Sequence, residues 1–250
     1  MAEQSRSRLA GKRVLITGGA GGVGSNVARR MAELAARVVI ADRPGSPLAQ
    51  VAATIEASGG AIAAIEADLS TSGGVAAMFD AYDRARDGLD ILVACAGVGS
   101  GPLMEMDDDG WRYVIESNLA SYVACTKGAI ERIRASGTDE GMVILVGSIS
   151  VHIKAVGESI YNAAKGGVAS FAETLRKEMM PENIRVTLIE PGAIGTHLQP
   201  YSGDELQDFV GEFKMLPADE VAEAIMFAAT RSKGVDVVTL RIEPLVQKIY

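Results

Sequence analysis

Short apolar runs alternate with longer amphipathic segments along almost the whole chain, and few architectures absorb such a pattern. Parallel strands need a long crossover between them, and a helix is the usual crossover. The alternation therefore predicts an α/β domain: a doubly wound parallel sheet of about seven strands with helices on both faces. Strands are expected at Arg13–Ile16, Arg37–Ala41, Ala61–Glu66, Asp90–Ala94, Met142–Val146, Arg185–Ile189 and Val235–Ile242. Helices are expected over Gly22–Leu34, Pro47–Ser58, Gly73–Arg86, Asp108–Ser136, Ser159–Met179 and Ala218–Arg231. Ala193–Pro217 shows no clear period, and an aperiodic stretch of that length inside a compact domain reads as a functional lid. No linker or repeat divides the 250 residues, so residues 1–250 read as a single domain.

Charge and cysteine content narrow the function classes. The chain carries 24 Lys plus Arg against 32 Asp plus Glu, a formal net charge of -8. Without a dense basic run, neither nucleic acid nor an anionic membrane surface is an expected partner. Cys95 and Cys125, with His152 and His197, form neither a disulfide framework nor a metal-ligand cluster, which points to a metal-free chain in a reducing, cytoplasmic compartment. No apolar run reaches the ~18 residues of a membrane span, and the polar start reads as a flexible leader over residues 1–10, not a signal peptide.

The sharpest local feature is Thr17-Gly-Gly-Ala-Gly-Gly-Val-Gly24, directly after the first strand and before an amphipathic helix. Glycines there let the backbone approach a pyrophosphate at a helix N-terminus, where free N–H groups favour negative charge. Two registers fit: Gly19, Gly21 and Gly24 as Gly-x-Gly-x-x-Gly, or Thr17, Gly18, Gly22 and Gly24 as Thr-Gly-x-x-x-Gly-x-Gly. Asp42 closes the second strand, where a carboxylate can accept from a ribose diol and repel a 2'-phosphate; Arg43 beside it has the opposite tendency. The carboxylate is weighed more heavily, so NAD is the expected cofactor and NADP the alternative.

Tyr161 and Lys165 lie four residues apart, hence on one helix face. With Ser148 after the fifth strand, Asn118 in the preceding helix and the glycine cradle near the start, the chain resembles the short-chain dehydrogenase/reductase family from Lys12 to about Ile242. The resemblance implies a single-domain Rossmann fold and a catalytic set of Asn118, Ser148, Tyr161 and Lys165. It places cofactor contacts at Thr17, Gly18, Gly22, Val23, Gly24, Asp42, Asp68, Leu69, Ala96, Gly97, Tyr161, Lys165, Pro191, Gly192, Ile194 and Thr196. Two departures stand out. Ala94-Cys95-Ala96-Gly97 lacks the family's bracing asparagine, so Cys95 is expected to pack as a small apolar group, and Val238–Pro244 replaces a common Val-Asp-Gly-Gly ending.

The expected chemistry is hydride transfer between a secondary alcohol or ketone and nicotinamide. Free tyrosine, with a pKa near ~10, is a poor base, and a neighbouring ammonium from Lys165 is expected to lower it. Tyr161 is then general base in oxidation and general acid in reduction, with Ser148 donating to the substrate oxygen. Asn118, as the resemblance implies, would complete a proton path to Lys165 through its helix backbone and a water. Candidate substrate contacts are Ser150, His152, Glu158 and His197. Ala163, Ala164, Gly166, Gly167, Ala169 and Ala172 keep one helix narrow, and with the helix of Trp111 and Asn118 it is expected to join subunits as a homodimer or homotetramer. A nucleotide-sensing or scaffold protein on the same fold is the competing reading, although a sensor has no need of a proton donor.

Overall fold

The computed structural model describes residues 2–199 and 201–247, with side chains from residue 6 onward. The strands are β1 (Arg13–Thr17), β2 (Arg37–Asp42), β3 (Ala61–Glu66), β4 (Ile91–Ala94), β5 (Gly141–Val146), β6 (Ile184–Pro191) and β7 (Thr239–Ile242). All pair in parallel, in the order β3-β2-β1-β4-β5-β6-β7. The helices are α1 (Ala2–Leu9), α2 (Gly22–Glu33), α3 (Leu48–Ala57), α4 (Ser72–Ala85), α5 (Asp108–Ile115), α6 (Ser121–Ala135), α7 (Ser150–Ile153), α8 (Ser159–Met179), α9 (Gly203–Gly211) and α10 (Ala218–Ala229).

Strand side chains alternate between two buried layers, as the pleat requires. Leu15, Val39, Leu92, Val143, Leu145 and Val186 pack on one face with Phe79 and Tyr82 of α4, Ile133 of α6 and Val168 of α8. Val14, Ile16, Val38, Ile40, Val93 and Ile144 pack on the other with Val27 and Met31 of α2, Leu48 and Ile55 of α3, and Ile225 of α10. β4 and β5 carry no polar side chain because neither face meets water, and along β1 and β6 the polar residues are confined to Arg13, Thr17, Arg185, Thr187 and Glu190. Strand progression reverses between β1 and β4, and a crevice opens at their carboxyl ends, the usual ligand position in such sheets.

Four details depart from the sequence pattern. The expected leader holds α1, and its last residue, Leu9, is fully buried against the layer of α2. The long helix expected over Asp108–Ser136 is interrupted by a π turn, Glu116–Ala120, which carries Asn118. The aperiodic segment contains α9, started by a capping box between Ser202 and Glu205 that periodicity alone does not reveal. Finally, β7 begins only at Thr239, since Val235 turns back through its N–H to the Ser232 carbonyl.

Candidate active site

Three segments converge on the crevice from its nucleotide side. Gly18 has φ of +71°, and a Cβ there would lie 2.6 Å from the Ala96 amide nitrogen, so only glycine lets the β1 and β4 loops pass so closely. α2 then starts at Gly22 behind Gly21, with no side chain capping its first amides. Thr71, Asp107 and Ser202 cap α4, α5 and α9, while α3, α8 and α10 start uncapped like α2. The positive φ at Gly18 and the helix start at Gly22 favour the Thr-Gly-x-x-x-Gly-x-Gly register, and the uncapped amides suit a pyrophosphate. Asp42 is held rigidly: its carboxylate accepts from the Ala20 amide at 2.9 Å and the Arg43 amide at 2.8 Å. Arg43 is exposed beside it.

The crevice is a single cleft of about 870 Å³. Its walls include Gly18, Gly22, Val23, Gly24, Asp42, Asp68, Leu69, Ala96, Gly97, Pro191, Gly192, Ile194 and Thr196 from the expected cofactor set. Thr17 does not line it. That residue is 2% exposed, and its Oγ1 accepts from the Ala96 amide at 3.5 Å, bracing β1 to β4. Asp68 lines the cleft while one carboxylate oxygen accepts from the Ser70 amide and hydroxyl.

Asn118, Ser148, Tyr161 and Lys165 all reach the same cleft. Asn118 is fully buried; its Nδ2 donates to the carbonyls of Val98 at 2.9 Å and Val114 at 3.0 Å, and its Oδ1 accepts from the Val98 amide. The side chain thus pins the loop after β4 to the π turn, a widened turn of the kind that recurs at functional sites. Gly97 makes this possible, because a Cβ there would lie 2.6 Å from Asn118 Oδ1. Ser148 Oγ accepts from the Ser150 amide at 3.1 Å, which leaves its own proton for another partner.

Lys165 is 4% exposed, and its ammonium donates to the Val146 carbonyl at 2.9 Å and the Tyr122 hydroxyl at 3.1 Å. Tyr122, 1% exposed, donates to the same carbonyl at 3.0 Å. Burial pulls the ammonium down to about 8. Burial also pushes the Tyr161 phenol above its ordinary value; a hydrogen bond with Ser148 opposes this and the charge of Glu158 adds to it. The expectation that Lys165 would lower the phenol is therefore corrected. Desolvation is the largest influence on Tyr161, and Lys165 Nζ lies 5.8 Å from the Tyr161 ring centre, bonded elsewhere.

Tyr122 escaped the sequence reading, although it sits one helical turn after Asn118 and a buried tyrosine normally finds a partner for its hydroxyl. Gln247, whose Oε1 accepts from the Ala193 amide at 3.0 Å, carries no local signal at all. Cys95 packs as expected: burial raises its thiol to about 12. Of the four candidate substrate contacts, Ser150, Glu158 and His197 line the cleft. His152 does not; its Nε2 meets the buried Glu190 carboxylate at 3.0 Å. The outer wall is the segment from Ile194 to Leu216, tied at its base where Leu216 donates to Ala193 and Gly195 donates to Leu216. Tyr201 and Phe209 stack edge-to-face within it at 4.9 Å.

The sequence pattern of the short chain dehydrogenase family matches residues 12–207. The chain belongs to that family. Human dehydrogenase/reductase SDR family member 4 is 32% identical over 193 residues, 76% of this chain and 69% of that protein. Cis-4-hydroxycyclohexanecarboxylate dehydrogenase of Sinomonas cyclohexanicum is 32% identical over 222 residues, 86% of this chain and 88% of that one. Among solved structures, a short chain dehydrogenase from Burkholderia cenocepacia J2315 in complex with NADP superimposes with a TM-score of 0.83 at 28% identity, covering 95% of this chain and 98% of the other. This short-chain dehydrogenase is an NAD(P)-dependent oxidoreductase with a single Rossmann-like layered sheet. Among the described residues, no helix is long and apolar enough to cross a membrane.

Proposed function

We propose that this enzyme interconverts a secondary alcohol and a ketone with NAD in preference to NADP, using Tyr161 as general acid and base. The convergence of Ser148, Tyr161 and buried Lys165 on one cleft with the uncapped start of α2 carries the reading. Bound there, the nicotinamide dinucleotide supplies the hydride acceptor or donor. In reduction Tyr161, which burial favours in its protonated form, gives its phenolic proton to a ketone oxygen; in oxidation it must first release that proton, and only the phenolate takes one from the alcohol. Ser148 donates to the same oxygen, its own lone pair occupied by the Ser150 amide. Lys165, held at the cleft by Tyr122 and Val146, would supply a cation for the cofactor's ribose hydroxyls, and Asn118 fixes the loop after β4 that lines the same cleft.

Asp42 supports NAD, since two backbone amides hold its carboxylate at the end of β2 where a 2'-phosphate would fall. Exposed Tyr113 of α5, which packs against α8, and Val123 of α6 support self-association as a dimer or tetramer. In part the narrow α8 serves its own subunit: a Cβ at Gly167 would meet Leu119, whereas one at Gly166 would meet nothing. The free thiols Cys95 and Cys125 support a cytoplasmic setting. Titrating the chain with NADH and NADPH by nucleotide fluorescence tests the cofactor assignment. NADH is expected to bind at least about tenfold tighter, and Asp42→Ala to erase the gap; tighter NADPH binding would transfer the selector role to Arg43.

A further inference from the structure

Around Tyr161 the cleft holds polar side chains with nothing to bond. Glu158 sits immediately before α8 and half-buried in the wall, and it caps no amide of that helix. No described residue pairs with its carboxylate. Ser100 and Ser150 line the same cleft, and the hydroxyl oxygen of each is buried without a hydrogen-bond partner. Ser150 is 3% exposed, so bulk water does not satisfy it either. Lys214, which also lines the cleft, is paired with Glu212. Buried polar groups are ordinarily satisfied, and the two unpartnered serine oxygens, with a half-buried carboxylate lining the same cleft, mark where a ligand supplies the missing donors and acceptors.

Building on the reading of the site as a carbonyl reductase, we infer that Glu158, Ser100 and Ser150 form a hydroxyl-recognition wall and that the substrate is an uncharged, polyhydroxylated ketone or its alcohol. The carboxylate accepts from a substrate hydroxyl beside the reacting carbon, and the two serines, able both to donate and to accept, take its neighbours. An aliphatic ketone leaves all three groups desolvated and unpaired. A keto acid fares worse, because its carboxylate is set against that of Glu158, and the Lys165 ammonium is held against Tyr122 and Val146. Glu158 stands at the start of α8, three residues before Tyr161, and both line the cleft.

Three four-carbon ketones separate these cases: erythrulose with hydroxyls, 2-butanone without, and acetoacetate with a carboxylate. With the full chain and its tighter-binding reduced cofactor, erythrulose is expected to exceed both others in kcat/KM by about 10- to 100-fold. Glu158→Gln should raise the KM for erythrulose and shrink the penalty on acetoacetate by about tenfold. Calorimetric binding of erythritol to the cofactor-loaded protein should weaken in Ser150→Ala as well as in Glu158→Gln. A preference for acetoacetate or 2-butanone, a preference for aminoacetone over erythrulose, or an acetoacetate penalty unchanged in Glu158→Gln would overturn the assignment alone. Absence of turnover with every ketone class would overturn the reductase reading with it.

Discussion

Two depressions of nearly equal volume lie at opposite ends of the sheet, about 830 Å³ at the amino ends of the strands and about 870 Å³ at the carboxyl ends. Their polar groups differ in kind. At the amino end Asp90, 4% exposed, accepts from the Arg13 amide at 2.8 Å and from its guanidinium at 2.8 and 2.9 Å, with Lys12 4.0 Å away. Its carboxylate is fully engaged by the protein. At the carboxyl end the Glu158 carboxylate and the Ser100 and Ser150 hydroxyls have no partner among the described residues, and Lys165 is held as a buried ammonium beside Tyr122. Volume does not separate a binding site from a structural recess, whereas unsatisfied polarity does. One end spends its charges on cohesion, and the other keeps them for chemistry.

The contrast breaks if substitutions at the carboxyl end behave like those at the amino end. Tyr161→Phe has the largest expected effect, a loss of turnover of about 100- to 10,000-fold with nucleotide affinity nearly intact by fluorescence titration. Lys165→Met should be inactive yet more stable. The folded ammonium titrates at about 8 against the ordinary 10.5, so its burial costs about 3 kcal/mol below pH 8, and that cost fades between pH 8 and 10.5. Thermal unfolding at pH 7 should therefore show a higher Tm for the variant, with the gain shrinking as the pH approaches 10.5.

Asp90→Asn should do the reverse, losing about 3 kcal/mol in urea unfolding while kcat at 25 °C stays unchanged. Burial alone would raise the Asp90 carboxyl, but hydrogen bonds from the Arg13 side chain and amide outweigh it and hold the group below 3.8. Its contribution is thus complete above pH 3.8 and is lost as pH falls through the lower folded value, so wild type and variant should converge only in strong acid. The smallest effect belongs to Tyr122→Phe, about 1 kcal/mol in kcat/KM. Removing an acceptor from the ammonium also moves the Lys165 limb of the pH profile below 8, a shift that altered packing alone would not cause.

Local patterns carried far in this molecule because parallel strands buried on both faces must be apolar throughout and their crossovers must be amphipathic. The strands at Arg13–Ile16 and Arg37–Ala41 were legible for that reason, each one residue short of its observed end, as was the helix face shared by Tyr161 and Lys165. Less was legible where one residue had two physical uses. Thr17 fits a phosphate motif by spacing but braces β1 to β4, and His152 lies four residues past Ser148 yet points to Glu190. The π turn at Asn118 leaves the helical period almost undisturbed, so only the coordinates reveal it. Leu9 looked like the end of a polar leader because one apolar residue makes no pattern, though full burial makes it an anchor.

By itself, then, the sequence determined the strand and helix alternation, the glycine cradle, the acid–base pair and the carboxylate at the end of β2, all of which depend on spacings of a few residues. Only the tertiary structure decided what surrounds them. The direction of the Tyr161 shift, the Tyr122 hydroxyl against Lys165, and the unpaired wall of Ser100, Ser150 and Glu158 arise from segments far apart in the chain. Desolvation and hydrogen-bond satisfaction belong to the packed assembly of those segments, and no local stretch of sequence encodes them.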